Sequence, residues 1–83
     1  MRASPDVIFR ALDDGGVLVH LNGNQIFELN ATAAHIWPLV ADGASEAAIV
    51  SSLVETFDID AATAAQQLDA LLTDLSAAGL IDR

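Results

Sequence analysis

Gln25–Trp37 reads "QIFELNATAAHIW", and it changes character at a single residue. Its first five residues, bounded by the turn residues Asn22-Gly23 and by Asn30, include a β-branched and an aromatic side chain, which predicts a strand. Beyond Asn30 the apolar residues Ala33, Ile36, Trp37 and Val40 recur at helical spacing. An asparagine at the junction suits a helix N-cap, because its side-chain oxygen can accept a hydrogen bond from the first turn. The stretch therefore predicts a strand that passes into a helix with almost no loop. The free edge of that strand, held beside a helix, is expected to be the working part.

Upstream, Val17–Leu21 ("VLVHL") is a second strand, and Asn22-Gly23 predicts a type I′ hairpin because both central residues of that turn need positive φ. A two-residue loop sets Val19 opposite Ile26, Leu18 opposite Phe27 and Val17 opposite Glu28. Leu18, Phe27 and Leu29 then share one face, and Val17, Val19, Leu21 and Ile26 the other. Val7–Leu12 ("VIFRAL") is a further strand, joined through the turn residues Asp13-Asp14-Gly15-Gly16. A sheet covered on one side should alternate apolar and polar residues. Here both faces are apolar, so either both are covered or one is partly open to a partner.

Downstream, the first helix ends at Gly43, and Pro38 inside it predicts a kink. Ser45 caps a second helix with Ile49, Leu53 and Phe57 on one face. Asp58-Ile59-Asp60 breaks the chain, and Asp60 caps a third helix whose core stripe is Ala64, Leu68, Leu71, Leu75 and Ala78. Gly79 stops that helix, and the short extended tail Leu80-Ile81-Asp82 packs back. The expected fold is α+β and winged-helix-like: a three-stranded antiparallel sheet followed by a three-helix bundle, one domain over residues 1–83.

Charge limits what such a domain can bind. The 83 residues carry twelve acids and three arginines, a formal net charge of −9. The arginines are Arg2, Arg10 and Arg83, and no Lys or Arg lies between Ala11 and Asp82. Nucleic-acid binding draws most of its affinity from cations that neutralise phosphates, so that class is excluded. The same field disfavours anionic membranes and favours a basic protein or peptide. There is no cysteine, hydrophobic residues make up 53 %, and no apolar run is long enough for a signal segment or a membrane span. These features predict a cytoplasmic domain.

Enzyme chemistry has little footing. His20 and His35 lie on different elements with no third ligand at metal-site spacing, so no metal is expected. Ser51 and Ser52 sit in mid-helix with no base placed by the sequence, and no phosphate-cradling loop is present. No cofactor is expected. An acyl carrier protein would share the size and acidity but needs a helix-start Asp-Ser-Leu, which is missing here.

A binding site is more readily assembled. The edge of Gln25–Leu29 would leave N–H and C=O groups unpaired, and an added peptide strand would satisfy them while neighbouring pockets read its side chains. The candidate peptide-binding residues are Gln25, Ile26, Phe27, Glu28 and Leu29 on the strand, with Gln67, Leu68, Leu71, Leu72 and Asp74 on the third helix. Within that set Phe27, Leu29, Leu68 and Leu71 are chiefly core. Ile26 and Glu28 point the other way, and Leu72 falls outside the core stripe with Gln67 and Asp74. A second reading is a winged-helix-like interaction module that homodimerises through its sheet edge, with no peptide client.

The ordered set Leu29-Asn30, Ile36-Trp37, Gly43, Ile49, Phe57-Asp58-Ile59-Asp60, Ala64, Leu68, Leu71, Leu75 and Gly79-Leu80-Ile81 resembles the PqqD-like family. Its founding member is pyrroloquinoline quinone biosynthesis protein D, and its module is the RiPP precursor peptide recognition element. The resemblance covers roughly Val17 to Asp82 and departs from the family pattern at Pro38, where a polar helix former is usual. It implies a protein that is not an enzyme. Such a protein binds the leader of a ribosomally made precursor as an extra strand beside the third helix and presents it to a radical SAM protein, a cyclase or a leader peptidase.

Overall fold

The computed structural model describes residues 1–83. Five strands and three helices follow in the order β1 (Arg2–Ala3), β2 (Val7–Leu12), β3 (Gly15–His20), β4 (Gln25–Asn30), α1 (Ala31–Ala41), α2 (Glu46–Phe57), α3 (Ala61–Ala77) and β5 (Ile81–Asp82). Strands β2, β3 and β4 form an antiparallel sheet in sequence order, followed by the three helices, as the sequence predicts. The pairing of β1 with β5 was not foreseen: Arg2 lies opposite Asp82 and Ala3 opposite Ile81, so the two ends of the chain form a small second sheet. Two residues carry too little pattern to announce a strand.

The register of β3 on β4 is the expected one, with Val17 opposite Glu28, Leu18 opposite Phe27 and Val19 opposite Ile26. The turn that sets it is different. Neither Asn22 nor Gly23 adopts positive φ; Asn24 does, at 52°, and pairing stops at His20–Gln25. The loop is therefore four residues long, Leu21–Asn24, and not the two-residue type I′ turn. Two- and four-residue loops that differ by one residue on each strand conserve the register, so the same residues still face each other.

Leu18 is fully buried, Leu29 is 8 % exposed, and Phe9 and Phe27 pack half-buried against the same cluster. This face of the sheet meets the helices. Gly16 makes room on it: a Cβ there would come within 2.6 Å of the Phe9 ring. From the helices come Ala33, Ile36, Trp37 and Val40 of α1, Ile49 and Leu53 of α2, and Ala64, Leu68, Leu72 and Leu75 of α3, closed by Leu80 and Ile81. The α1 stripe is the one the sequence predicts, and α1 runs without a break across Pro38.

Each helix start carries the cap its sequence offers. Asn30 Oδ1 accepts from the Ala33 N–H at 2.9 Å, Ser45 Oγ from Ala48 at 3.1 Å, and Asp60 Oδ1 from Thr63 at 2.7 Å. Helices α1 and α3 close on Gly43 and Gly79, both at positive φ, a conformation glycine adopts without penalty. At each end the two glycine-motif bonds form: Ala44 N–H to Leu39 and Gly43 N–H to Val40, then Leu80 N–H to Leu75 and Gly79 N–H to Ser76. Arg83 donates to Asp69 at 2.6 Å and to Glu46 at 3.4 Å, tying the chain end to α3 and α2.

Hydrogen bonds from the Thr63 backbone and side chain hold the Asp60 carboxyl below the usual aspartate range. A carboxyl lowered by folding stabilises the native state above its unfolded pKa and stops doing so as pH falls through its folded value. Thermal unfolding of wild type and Asp60→Ala should therefore differ most at neutral pH, with wild type the more stable, and the gap should narrow in acid. A gap that stays constant from neutral pH into acid would show that the ionised carboxylate contributes nothing as a cap.

Candidate functional site

Strand β4 pairs with β3 on one side and with nothing on the other. No turn, loop or cap hydrogen bond reaches Gln25–Leu29 from elsewhere in the chain. The outward backbone groups of this strand are thus open to a further strand. Along β4, Phe27 and Leu29 point toward the helices, while Ile26, 70 % exposed, and Glu28 point to the opposite face. Gln25 lies exposed at the start of the strand.

The edge leads into a groove. Asn30 ends β4 and caps α1, so the first turns of α1 stand at the end of the sheet edge. Asn30, Thr32, Ala33 and Ile36 form one wall, and Gln67, Ala70, Leu71 and Asp74 of α3 form the other, around a volume of about 350 Å³. Ala33 and Ile36 are buried and make an apolar floor. Leu71 is half-buried, and Thr32, Gln67 and Asp74 are polar groups on the rim. No cation lies in the groove, and Asp74 gives it a negative edge. Its size and apolar floor would suit an apolar side chain carried on a strand, and its negative edge a neighbouring basic group.

The helix assignments need one correction. Leu72 is fully buried and Leu68 is 2 % exposed, both inside the core, so neither is open to a ligand. Residues on a helix advance by about 100° each. On that wheel Ala64, Leu75, Leu68 and Leu72 span one arc, and Leu71, Gln67, Asp74 and Ala70 follow in order on one flank. Leu72 lies on the far side of the core arc from Gln67 and Asp74. The buried arc is centred near Leu68, because α3 packs on α2 and on the short strand β5. Leu71, not Leu72, is the leucine that reaches the groove. The sequence reading also missed the α1 wall, although Asn30 as a cap directly after a strand is a signal that the first turn of α1 borders the edge.

The histidines stay apart, as their elements require, but a base does stand beside a serine. His35 Nε2 lies 2.8 Å from Ser52 Oγ, a contact that the sequence alone does not place. The pair joins α1 to α2, and the imidazole meets the Phe57 ring edge-on at 5.4 Å. No carboxylate is hydrogen-bonded to His35 to complete a catalytic triad, and no group of three or more His, Asp or Glu side chains is placed to hold a metal ion. No helix is long and apolar enough to cross a membrane.

These features define a small winged-helix-like domain with one open sheet edge running into an apolar groove. The chain belongs to the PqqD family: the family described as Coenzyme PQQ synthesis protein D matches residues 15–81. Among solved structures it is similar to TbiB1 in complex with the TbiA(beta) leader peptide, with 29 % identity, a TM-score of 0.90, and 99 % of this chain and 95 % of that one covered. It is also similar to a lasso peptide synthetase B1 complexed with its leader peptide, with 28 % identity, a TM-score of 0.85, and 99 % and 96 % covered. No curated protein matches the sequence.

Truncating the two leucines should separate core from groove. Leu72→Ala opens a core cavity and should cost about 2–5 kcal/mol of stability. Leu71→Ala removes a half-buried side chain and should cost about half of that or less. Denaturant unfolding of both variants checks the order; equal losses would place Leu71 in the core.

Proposed function

We propose that this protein binds the leader segment of a ribosomally synthesised precursor peptide and presents it to a modifying enzyme. The leader adds as a strand to the free edge of β4. Its inward side chains enter the groove between α1 and α3, where Leu71 and Ala70 offer apolar contact and Gln67 and Asp74 hold the rim. Its outward side chains lie beside Ile26 and Glu28, their cross-strand neighbours on the other face. The role is recognition, without catalysis or cofactor, in the cytoplasm. The enzyme that receives the leader is a radical SAM protein, a cyclase or a leader peptidase. The whole chain, residues 1–83, acts as one recognition domain.

The observation that carries this reading is the unpaired β4 edge leading into an apolar groove. It is supported by the leader peptides held by two proteins of the same fold. Backbone pairing supplies affinity with little sequence demand, and the groove supplies the selection. The net charge of −9 favours a leader with basic residues around its apolar anchors.

Calorimetry with the leader and core halves of the precursor encoded beside this protein tests the proposal. Heat should follow the leader alone. Leu71→Asp sets a carboxylate against an apolar anchor and should weaken leader binding by about ten- to a thousandfold, at a temperature where unfolding curves show the variant still folded, although its melting point falls at least as far as that of Leu71→Ala. Binding to the core half only, or a Leu71→Asp variant of full affinity, would overturn the assigned site.

A further inference from the structure

The sheet has a second face, and nothing covers it. Strand alternation puts Ile8, Arg10 and Leu12 of β2, Val17 and Val19 of β3, and Ile26 and Glu28 of β4 on the side away from the helices. Ile8 is 45 % exposed, Leu12 60 % and Ile26 70 %, and none of these apolar residues packs against the core. The register arranges them in rows: Ile8, Val19 and Ile26 in one, Arg10, Val17 and Glu28 in the next. Contiguous exposed apolar surface of this kind marks an interaction site.

The charges identify the occupant. Arg10 is one of three cations in the chain, and the ion pairs within the protein all belong to Arg83. Arg10 and Glu28 stand in the same row on the two outer strands, one strand to either side of Val17. A two-fold axis parallel to β3, between two stacked sheets, carries β2 of each copy over β4 of the other without shifting the rows. We propose that a second copy of this chain docks there. Arg10 then faces Glu28 of the second copy, and Glu28 faces its Arg10. Ile8 meets Ile26 twice, and Val19 meets Val19 on the axis. An axis across the strands would set β2 over β2 and lose both ion pairs, so the charges select the arrangement. Stacked sheets lie about 10 Å apart, within reach of an Arg and a Glu extended toward each other. A three-stranded face is small and each copy carries −9, so the dimer is weak and concentration-dependent. It leaves the β4 edge open, unlike pairing edge to edge.

Sedimentation equilibrium over a concentration series, with and without leader, is the test. Wild type should move from 8.6 kDa toward twice that mass, and saturating leader should leave the dimer in place. Arg10→Glu and Glu28→Arg alone should each raise the dimer dissociation constant by about tenfold or more, because like charges then face each other twice. An equimolar mixture of the two variants restores every opposite-charge pair and should associate again. The chain has no cysteine, so Val19→Cys alone should be joined by a short bis-maleimide linker, a readout that does not depend on the charge variants. Ile8→Asp should abolish association without changing leader affinity, since β2 lies two strands from the leader edge. A mixture that stays monomeric while wild type dimerises would overturn the arrangement. Wild type monomeric at every concentration would overturn the dimer, and if Ile8→Asp then weakened binding to the maturation enzyme, the face would belong to that enzyme.

Discussion

One hydrogen bond, from the Ala33 N–H to Asn30 Oδ1, fixes the geometry on which the groove depends. Asn30 is at once the last residue of β4 and the cap of α1. With no loop between them, the helix cannot swing away from the end of the sheet, and its first turns become a wall. Ala33 and Ile36 are held against the core on one side and line the groove on the other. The opposite wall comes from α3, which runs as one helix, Ala61–Ala77, between the cap at Asp60 and the stop at Gly79. The site is therefore built by two helices on a fixed strand, while the strand edge itself stays open.

Much of this is written in local chemistry. The caps at Asn30, Ser45 and Asp60, the glycine stops and the α1 stripe all follow from short-range rules, because each depends on neighbours within one turn. The β3–β4 register was legible because Asn22-Gly23 marks the middle of the connection, and two- and four-residue loops about that point set the same residues opposite each other. The turn type was not, since Asn22-Gly23-Asn24 offers several places for positive φ and the strands chose Asn24. Leu71 and Leu72 were exchanged because a leucine-rich helix fits two core arcs, and only the direction of its packing partner decides between them. The β1–β5 pairing and the His35–Ser52 contact join residues far apart in sequence, and no local pattern encodes either.

The distribution of charge gives the domain a preference that its fold alone would lack. Backbone pairing along β4 would accept many extended peptides. Under the proposed function the acidic surface would raise the local concentration of basic ones, and the apolar groove beside Leu71 would then select among them by shape. Arg83 is committed to Asp69 and Glu46, so the last cation of the chain serves to hold the fold together and is not available at the groove.

The pairing of Arg2–Ala3 with Ile81–Asp82 has a further consequence. The two ends of the chain leave the domain side by side, in antiparallel register. A host polypeptide could enter and exit through one surface loop, paying little loop-closure entropy because the ends already meet. The domain is thus as well suited to insertion within a larger enzyme as to free diffusion. Tethered in that way, it would turn the capture of a leader into an intramolecular step, with the local peptide concentration set by the linker and no longer by the solution.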